Sequence, residues 1–392
     1  MVTKFDFFMR PSNKGFGENM QSDWNEKGFI ECLIQVSFER SKQIQANSYL
    51  SKGKYPIVDQ GQNFIAGWTN DESSLIKEYL PLIIFGDHTR IFKYVDFPFA
   101  LGADGTKLIK PKQDEFSAKF FYYYLLTINV PERGYNRHYK LLKEQIIRYP
   151  PVAEQQKIAG VLFKIQQAIE IQESIIEKTR ELKNSTLHHV FTHGLRGEKL
   201  KETEIGTTPE SWSVQRFEEF TTLHRGYDLP IQDRTSGSVP IVGSNGVVGY
   251  HDQSKVKGPG VVTGRSGSIG ISYYVEDDYW PLNTGLYVED FHRNYPLYVH
   301  YFFQSFDFDQ YAAGVSVPTL NRNIVHATLI SVPQIGEQKE IANILKTVDQ
   351  KIEIHTAIKS ALQDLFKTML NKLMTGEIRV KDLEMKLLNF TV

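Results

Sequence analysis

The chain has little with which to build covalently cross-linked or membrane-embedded structure. Cys32 is its one cysteine, so an intramolecular disulfide is excluded, a reducing cytoplasm is the natural compartment, and the thiol reads as a core residue. No apolar run approaches the ~18 residues that a membrane-spanning helix requires. Lys4, Asp6 and Arg10 break up the apolar residues of the N-terminus, so neither a span nor a signal peptide is expected. Net charge is nearly absent: a value of -1 argues against a polycationic coat for nucleic acid but permits a local basic groove.

Catalytic signatures are missing as well. There is no N/D-P-P-aromatic motif for adenine methylation, no glycine-rich cofactor loop placed after a strand, and no G-x-x-x-x-G-K-S/T nucleotide loop. The glycine-rich segment from Gly258 to Gly270 contains no lysine to neutralise phosphates and reads as tight turns. His188, His189 and His193 have neither cysteine nor a second spaced ligand set beside them. They read as structural or exposed, and no metal or cofactor is expected on this chain.

What is present is one stretch, twice. Residues 150–192 and 333–375 align without gaps: Glu154 meets Glu337, Gln155 meets Gln338, Ile158 meets Ile341, Leu162 meets Leu345, Ile169 meets Ile352 and Val190 meets Leu373. Neither glycine nor proline interrupts residues 161–193 or 337–375, and the paired apolar positions recur at steps of three and four, as a helix with one buried stripe requires. Prolines open both copies and Gly194 and Gly376 close them. Each helix would be roughly 55 Å long, and its simplest partner is its twin, with Ile165, Ile169, Val348 and Ile352 between them.

The 392 residues, 41% hydrophobic and 23% charged, leave room for further globular cores. Short apolar runs such as YPIV (55–58) and YLPLIIF (79–85), then the helical run FSAKFFYYYLLTI (116–128), give a mixed α/β domain over residues 1–149. The first spacer helix occupies 150–193 and a polar linker 194–211. A second domain over 212–332 repeats the first in outline, since Pro240-Ile241-Val242 parallels Pro56-Ile57-Val58 and Trp212 parallels Trp24. The second helix takes 333–376 and a tail 377–392. Helix one ends beside the second domain and helix two starts from it, so packing along its twin makes the pair antiparallel. The expected fold is therefore α+β, two similar domains separated by two long antiparallel helices with approximate two-fold symmetry. Duplex DNA has local two-fold symmetry of its own, and a bipartite target with an unread spacer would match such a chain.

The EQ-x-x-IA helix openings, the run IIFGDHTR-x-x-KYVDFPFALGADG (83–105), GPGVVTGRSGSIG (258–270) and WPLNTGLYV (280–288) together resemble the specificity subunit of type I restriction-modification systems, over essentially the whole chain. The resemblance implies two target-recognition domains, each reading half of a bipartite double-stranded DNA sequence. It implies helices that set the spacer and dock modification (methyltransferase) subunits. Restriction (translocase-nuclease) subunits would join through the complex, and S-adenosylmethionine would sit on the modification partner. Three alternatives stay open: an enzyme with an unrecognised nuclease or methyltransferase site, a recognition subunit whose partner fuses methyltransferase and nuclease, and a coiled-coil adaptor without a DNA role.

For DNA contact, the first domain offers His88, Arg90, Arg133, Tyr135, Asn136, Arg137, His138 and Lys140, whose charges and amides suit phosphates and base edges. The second offers Ser244, Asn245, Arg265, Ser266, Asn321 and Arg322. Asn321 could instead cap a short helix, and Arg322 or Arg137 could tie a domain to the long helices. Residues 1–150 hold 20 Lys and Arg against 17 Asp and Glu, whereas residues 201–330 hold 9 against 15, so the second domain cannot attract DNA by net charge. Gln155, Gln156, Gln338 and Lys339, read as outward-facing, are the expected partner contacts.

Overall fold

A computed structural model describes residues 24–102, 105–131, 137–266, 268–313 and 319–381. The chain divides into two units, Met1–Ser174 with Thr356–Val392, and Ile175–His355.

The first unit begins with β1 (Asn25–Gly28), β2 (Leu33–Ile34), β3 (Tyr55–Val58), β4 (Gly67–Thr69), β5 (Leu75–Ile76), β6 (Leu82–Gly86), β7 (Phe92–Val95), β8 (Phe99–Leu101) and β9 (Thr106–Pro111). It continues through α1 (Ala118–Thr127), α2 (Tyr139–Lys143) and β10 (Ile146–Tyr149) into α3 (Val152–His193). Its sheets run β2-β9-β6-β7 and β4-β3-β8-β5, with β1 paired to β10. Strand β6 lies between two layers, which is why its sequence LIIFG is apolar throughout and fully buried. Side chains alternate across a strand, so Ile83 and Phe85 join the core that includes Phe120, Phe121 and Leu125 of α1. Leu82 and Ile84 face the other way, toward Val58, Phe99 and Leu101. Cys32 is a core thiol whose Sγ donates to the Gly28 carbonyl. Burial pushes its pKa up to about 12.

The second unit repeats this plan after a hairpin of β11 (Leu200–Thr203) and β12 (Gly206–Pro209). In order come β13 (Ser213–Arg216), α4 (Phe217–Phe220), β14 (Thr222–Arg225), β15 (Val239–Gly243), β16 (Gly246–His251), β17 (Gly260–Gly264), β18 (Ser272–Val275), β19 (Trp280–Pro281), β20 (Gly285–Asp290) and α5 (Pro296–Ser305). Then follow β21 (Ala312–Ala313), β22 (Thr319–Leu320), α6 (Arg322–Ala327), β23 (Leu329–Val332) and α7 (Ile335–Met374). Sheet orders β14-β20-β17-β18 and β16-β15-β19, with β13 on β23, follow those of the first unit, except that no strand takes the place of β5 and β21 pairs with β22 in addition. Even the cis prolines correspond: Leu80-Pro81 precedes β6 and Gly258-Pro259 precedes β17. Where tight turns are expected after Gly258, Gly260–Gly264 instead forms the fully buried strand β17.

The long helices are antiparallel within each unit. In the first, Glu154 pairs with Arg379 and Glu173 with Lys359, so α3 numbers rise as those of the C-terminal chain fall. Ile158, Leu162 and Ile169 share a core with Phe366, Leu370 and Leu373, and Ile165 packs against it half-buried. In the second, Lys183 pairs with Asp349 and Arg196 with Glu340, and Leu187 and Val190 share a core with Ile341 and Leu345. Val348 and Ile352 are half-buried. Gly194 and Gly376, at φ +66 and +71, close the helices in the left-handed conformation that glycine adopts without a Cβ penalty. They lie against Trp212 and Trp24 respectively.

Gln155 and Gln338 correct the expectation that they face outward: both are buried. Gln155 Oε1 accepts from Ser117 N at the start of α1, while its Nε2 donates to the carbonyls of Glu115 and Pro150, all at 2.9 Å. Gln338 does the same work in its unit, accepting from Tyr295 N at the start of α5 and donating to Pro333 O and Asn294 Oδ1. A primary amide satisfies donor and acceptor at once, which suits it to join a helix start to a neighbouring helix cap.

Candidate nucleic-acid interface

In the first unit several turns meet where strands of the two sheets end. The Asp87–Ile91 turn between β6 and β7 is held by Asp87 N donating to Gly105 O at 2.8 Å and by Thr89 Oγ1 donating to Gln60 O at 2.6 Å. His88 N donates to Gln60 Oε1 at 3.3 Å. The chain entering α2 joins them: His138 N and its Nδ1 lie 3.0 and 2.8 Å from Asp87 O, and Tyr139 N donates to Asp87 Oδ1 at 2.7 Å. Lys107 of β9 and Lys143 of α2 lie 6.0 and 5.3 Å from the Tyr139 ring, and Arg137 and Lys140 are exposed, so basic side chains gather around α2.

The second unit builds the equivalent place from different side chains. Ser244 N donates to Thr284 Oγ1 at 3.3 Å, Ser268 Oγ to Asn245 Oδ1 at 2.6 Å and Arg265 N to Thr284 O at 3.0 Å. Leu320 N donates to Arg265 O, and Ser266 bridges to Thr319. Nearby, burial holds the pKa of His326 below its ordinary value, in keeping with its Nε2 accepting from Leu223 N.

The structure therefore brings together His88 with His138, and Ser244 and Asn245 with Arg265 and Ser266. Four expected contacts have other work. His138 is buried and fastens α2 to the Asp87 turn. Arg90, at φ +65, donates to Val130 O. Asn321 caps α6 by accepting from Asn323 N, and Arg322 donates to Leu223 O within its own domain, not to a long helix. Arg133, Tyr135 and Asn136 lie outside the described residues. Of the expected partner contacts, Gln156 and Lys339 are exposed. Among the described residues no group of His, Cys, Asp and Glu could hold a metal ion, and no helix is long and apolar enough to cross a membrane. Residues that sequence reasoning missed are Gln60 and Thr89 in one unit and Thr284 and Ser268 in the other. The repeat held a signal for the first, because the turn after Val58 corresponds to the turn after Val242 that contains Ser244 and Asn245.

The family model for the type I restriction modification DNA specificity domain matches this chain twice, over residues 22–180 and 209–364. The chain belongs to that family. Each match on this specificity-domain protein takes in one β-rich domain and most of its long helix. Two relatives come from Methanocaldococcus jannaschii. The MjaVIII specificity subunit is 24% identical over 62% of this chain and 64% of its own length. The putative MjaX specificity subunit is 26% identical over 68% of this chain and 66% of its own, so the chain spans just under two thirds of each relative. The EcoR124I/EcoR124II specificity subunit of Escherichia coli is 32% identical over 26% of this chain and 30% of its own. In fold, the chain is similar to the crystal structure of a type I restriction-modification S subunit from M. genitalium. That likeness has a TM-score of 0.65 at 18% identity, covering 93% of this chain and 99% of the other.

Proposed function

We propose that this specificity-domain protein is the non-catalytic, sequence-reading subunit of a type I restriction-modification complex. Each domain reads one half of a bipartite duplex target, and α3 and α7 fix the unread spacer and dock modification subunits through exposed residues such as Gln156 and Lys339. Methyl transfer belongs to those partners, which bind S-adenosylmethionine, and restriction subunits join through the complex. One observation carries this reading: a domain-plus-helix plan occurs twice with closely related topology, yet the turns at the shared place differ in chemistry, Gln60 and His88 in one and Ser244, Asn245 and Arg265 in the other. One scaffold with two different polar surfaces is what reading two unlike half-sites requires.

Base-modification sequencing of the source genome, with and without this reading frame, tests it. A split motif of methylated adenines that disappears on deletion is the expected result. An unchanged methylome in cells that express the modification partner refutes the proposal.

A further inference from the structure

The turn from Asp59 to Asn63 follows β3 and connects it toward β4. Gln62 and Asn63 are exposed and Gln60 is half-buried, so three amides crowd into four residues. Beneath them lies Lys93 of β7, only 4% exposed. Its ammonium donates to the carbonyls of Asp59 at 2.8 Å and Asn63 at 2.6 Å, the two ends of the turn. Asp59 Oδ1, 3.8 Å from that ammonium, accepts from Gly61 N at 2.7 Å, and Asp59 Oδ2 accepts from Tyr49 OH at 3.2 Å. Burying an ammonium is costly unless its hydrogen bonds are made, so this arrangement holds the turn in one shape.

The second unit supports the corresponding turn from the corresponding residue. Position 93 of β7 matches position 273 of β18, where Tyr273 packs under Gly246, a glycine at φ +88 whose added Cβ would fall 2.9 Å from the ring. A lysine grips the backbone in one unit and an aromatic ring supports it in the other. The turn above differs to match: Gln60-Gly61-Gln62-Asn63 against Ser244-Asn245.

The geometry points to Gln62 and Asn63 as base-reading residues of the first domain, directed at adenine-containing base pairs, with Lys93 as the positioning residue that fixes their turn. This role for Gln62 and Asn63 rests on the DNA-reading function proposed above. Exposed amides suit this ligand because a carboxamide donates to N7 and accepts from the N6 amino group of adenine in the major groove, a bidentate match no other base edge offers. Gln60 fastens the same turn to the Asp87–Ile91 turn through His88 N and Thr89 Oγ1.

The test is methylome sequencing of cells that carry the intact complex with the chain as wild type, as Gln62→Ala/Asn63→Ala, or as Lys93→Met. The double variant alters exposed side chains only. It is expected to relax the first half of the methylated motif at one or two positions, with discrimination there reduced roughly 5- to 150-fold. The second half and the spacer stay as they were. An unchanged motif overturns the assignment. A uniform fall in methylation with both half-sites intact also overturns it, because it would place the turn on phosphates. Lys93→Met is expected to relax the same positions, whereas Ile109→Ala, a cavity in the same domain, lowers stability without changing the motif. Equal behaviour of those two variants removes the positioning role. A wild-type chain that yields no split motif would instead sink the DNA-reading function itself.

Discussion

Replacing Lys183 should expose how differently the two units solve one packing problem. In the second unit Lys183 Nζ of α3 lies 2.7 Å from Asp349 Oδ1 of α7, with side chains 17% and 28% exposed. Tyr301 OH of α5 donates to Asp349 Oδ2 at 2.9 Å, and burial, reinforced by that carboxylate, raises the phenol above its ordinary pKa. The repeat-equivalent residues of the first unit are uncharged: Tyr123 OH donates to Gln166 Oε1 at 2.7 Å, and Phe366 packs edge-on to Tyr123 at 5.9 Å. Removing one partner of a fully buried pair costs about 3–5 kcal/mol. Here partial exposure and the surviving Tyr301 hydrogen bond reduce the expected loss for Lys183→Met to about 1.5–2.5 kcal/mol. At ~2–4 °C per kcal/mol for a unit of this size, Tm falls by about 3–10 °C. The double variant Lys183→Phe/Asp349→Gln transplants the neutral arrangement and should return within about 1 kcal/mol of the starting stability. Thermal melts of the purified chain followed by circular dichroism measure both. A single variant as stable as wild type, or a double variant that melts as low as the single, would refute the reasoning.

Gln155→Leu leaves Ser117 N and the Glu115 and Pro150 carbonyls without their partner, so urea denaturation should show a loss of about 2–4 kcal/mol, against less than about 0.5 kcal/mol for the exposed Gln156→Ala. His300, which shares hydrogen bonds with Ser272 and Gln304, has its pKa lowered to about 4, by burial first and by the charge of Lys183 second. Its unfolded form takes up a proton near pH 6.5 and its folded form does not, so stability falls as pH drops from about 6.5 toward 4, by up to about 3 kcal/mol. His300→Gln should flatten that slope in melts recorded across the window. Inserting four residues into both α3 and α7 lengthens each helix by about 6 Å and should widen the methylated motif's spacer by roughly two base pairs. An unchanged spacer would remove the ruler from the proposed function.

The helices were the most legible part of the sequence because periodicity and uninterrupted length report directly on a buried stripe. The duplication was legible for the same reason: ungapped pairing of Glu154 with Glu337 needs no structural knowledge. What those openings do was not. Gln155 and Gln338 look like surface residues by type, and only the carbonyls and amides around them, supplied by distant segments such as Glu115 and Asn294, make burial favourable. The candidate site was half legible. Arg265 and Asn245 stand out by residue type alone, but Gln60 gains meaning only from His88 N and Thr89 Oγ1, which bond to it from a turn 28 and 29 residues away. His138 misled because a histidine in a basic run reads as a contact, while its burial against Asp87 depends on the course of the loop after α1.

The division of the chain also sets an order in time. The second unit is one continuous segment, whereas the first is closed by residues from the far end, among them Phe366, Leu370, Leu373 and Arg379. Synthesis proceeds at ~5–20 residues per second, so the domain made first waits roughly 10–40 s for the strand of chain that completes its core. During that wait Ile158, Leu162 and Glu154 stand without their partners, and the domain made second can finish before it. The usual rule that the N-terminal domain folds first can be reversed here by the path of the chain alone, because residues made after the second domain close the core of the first.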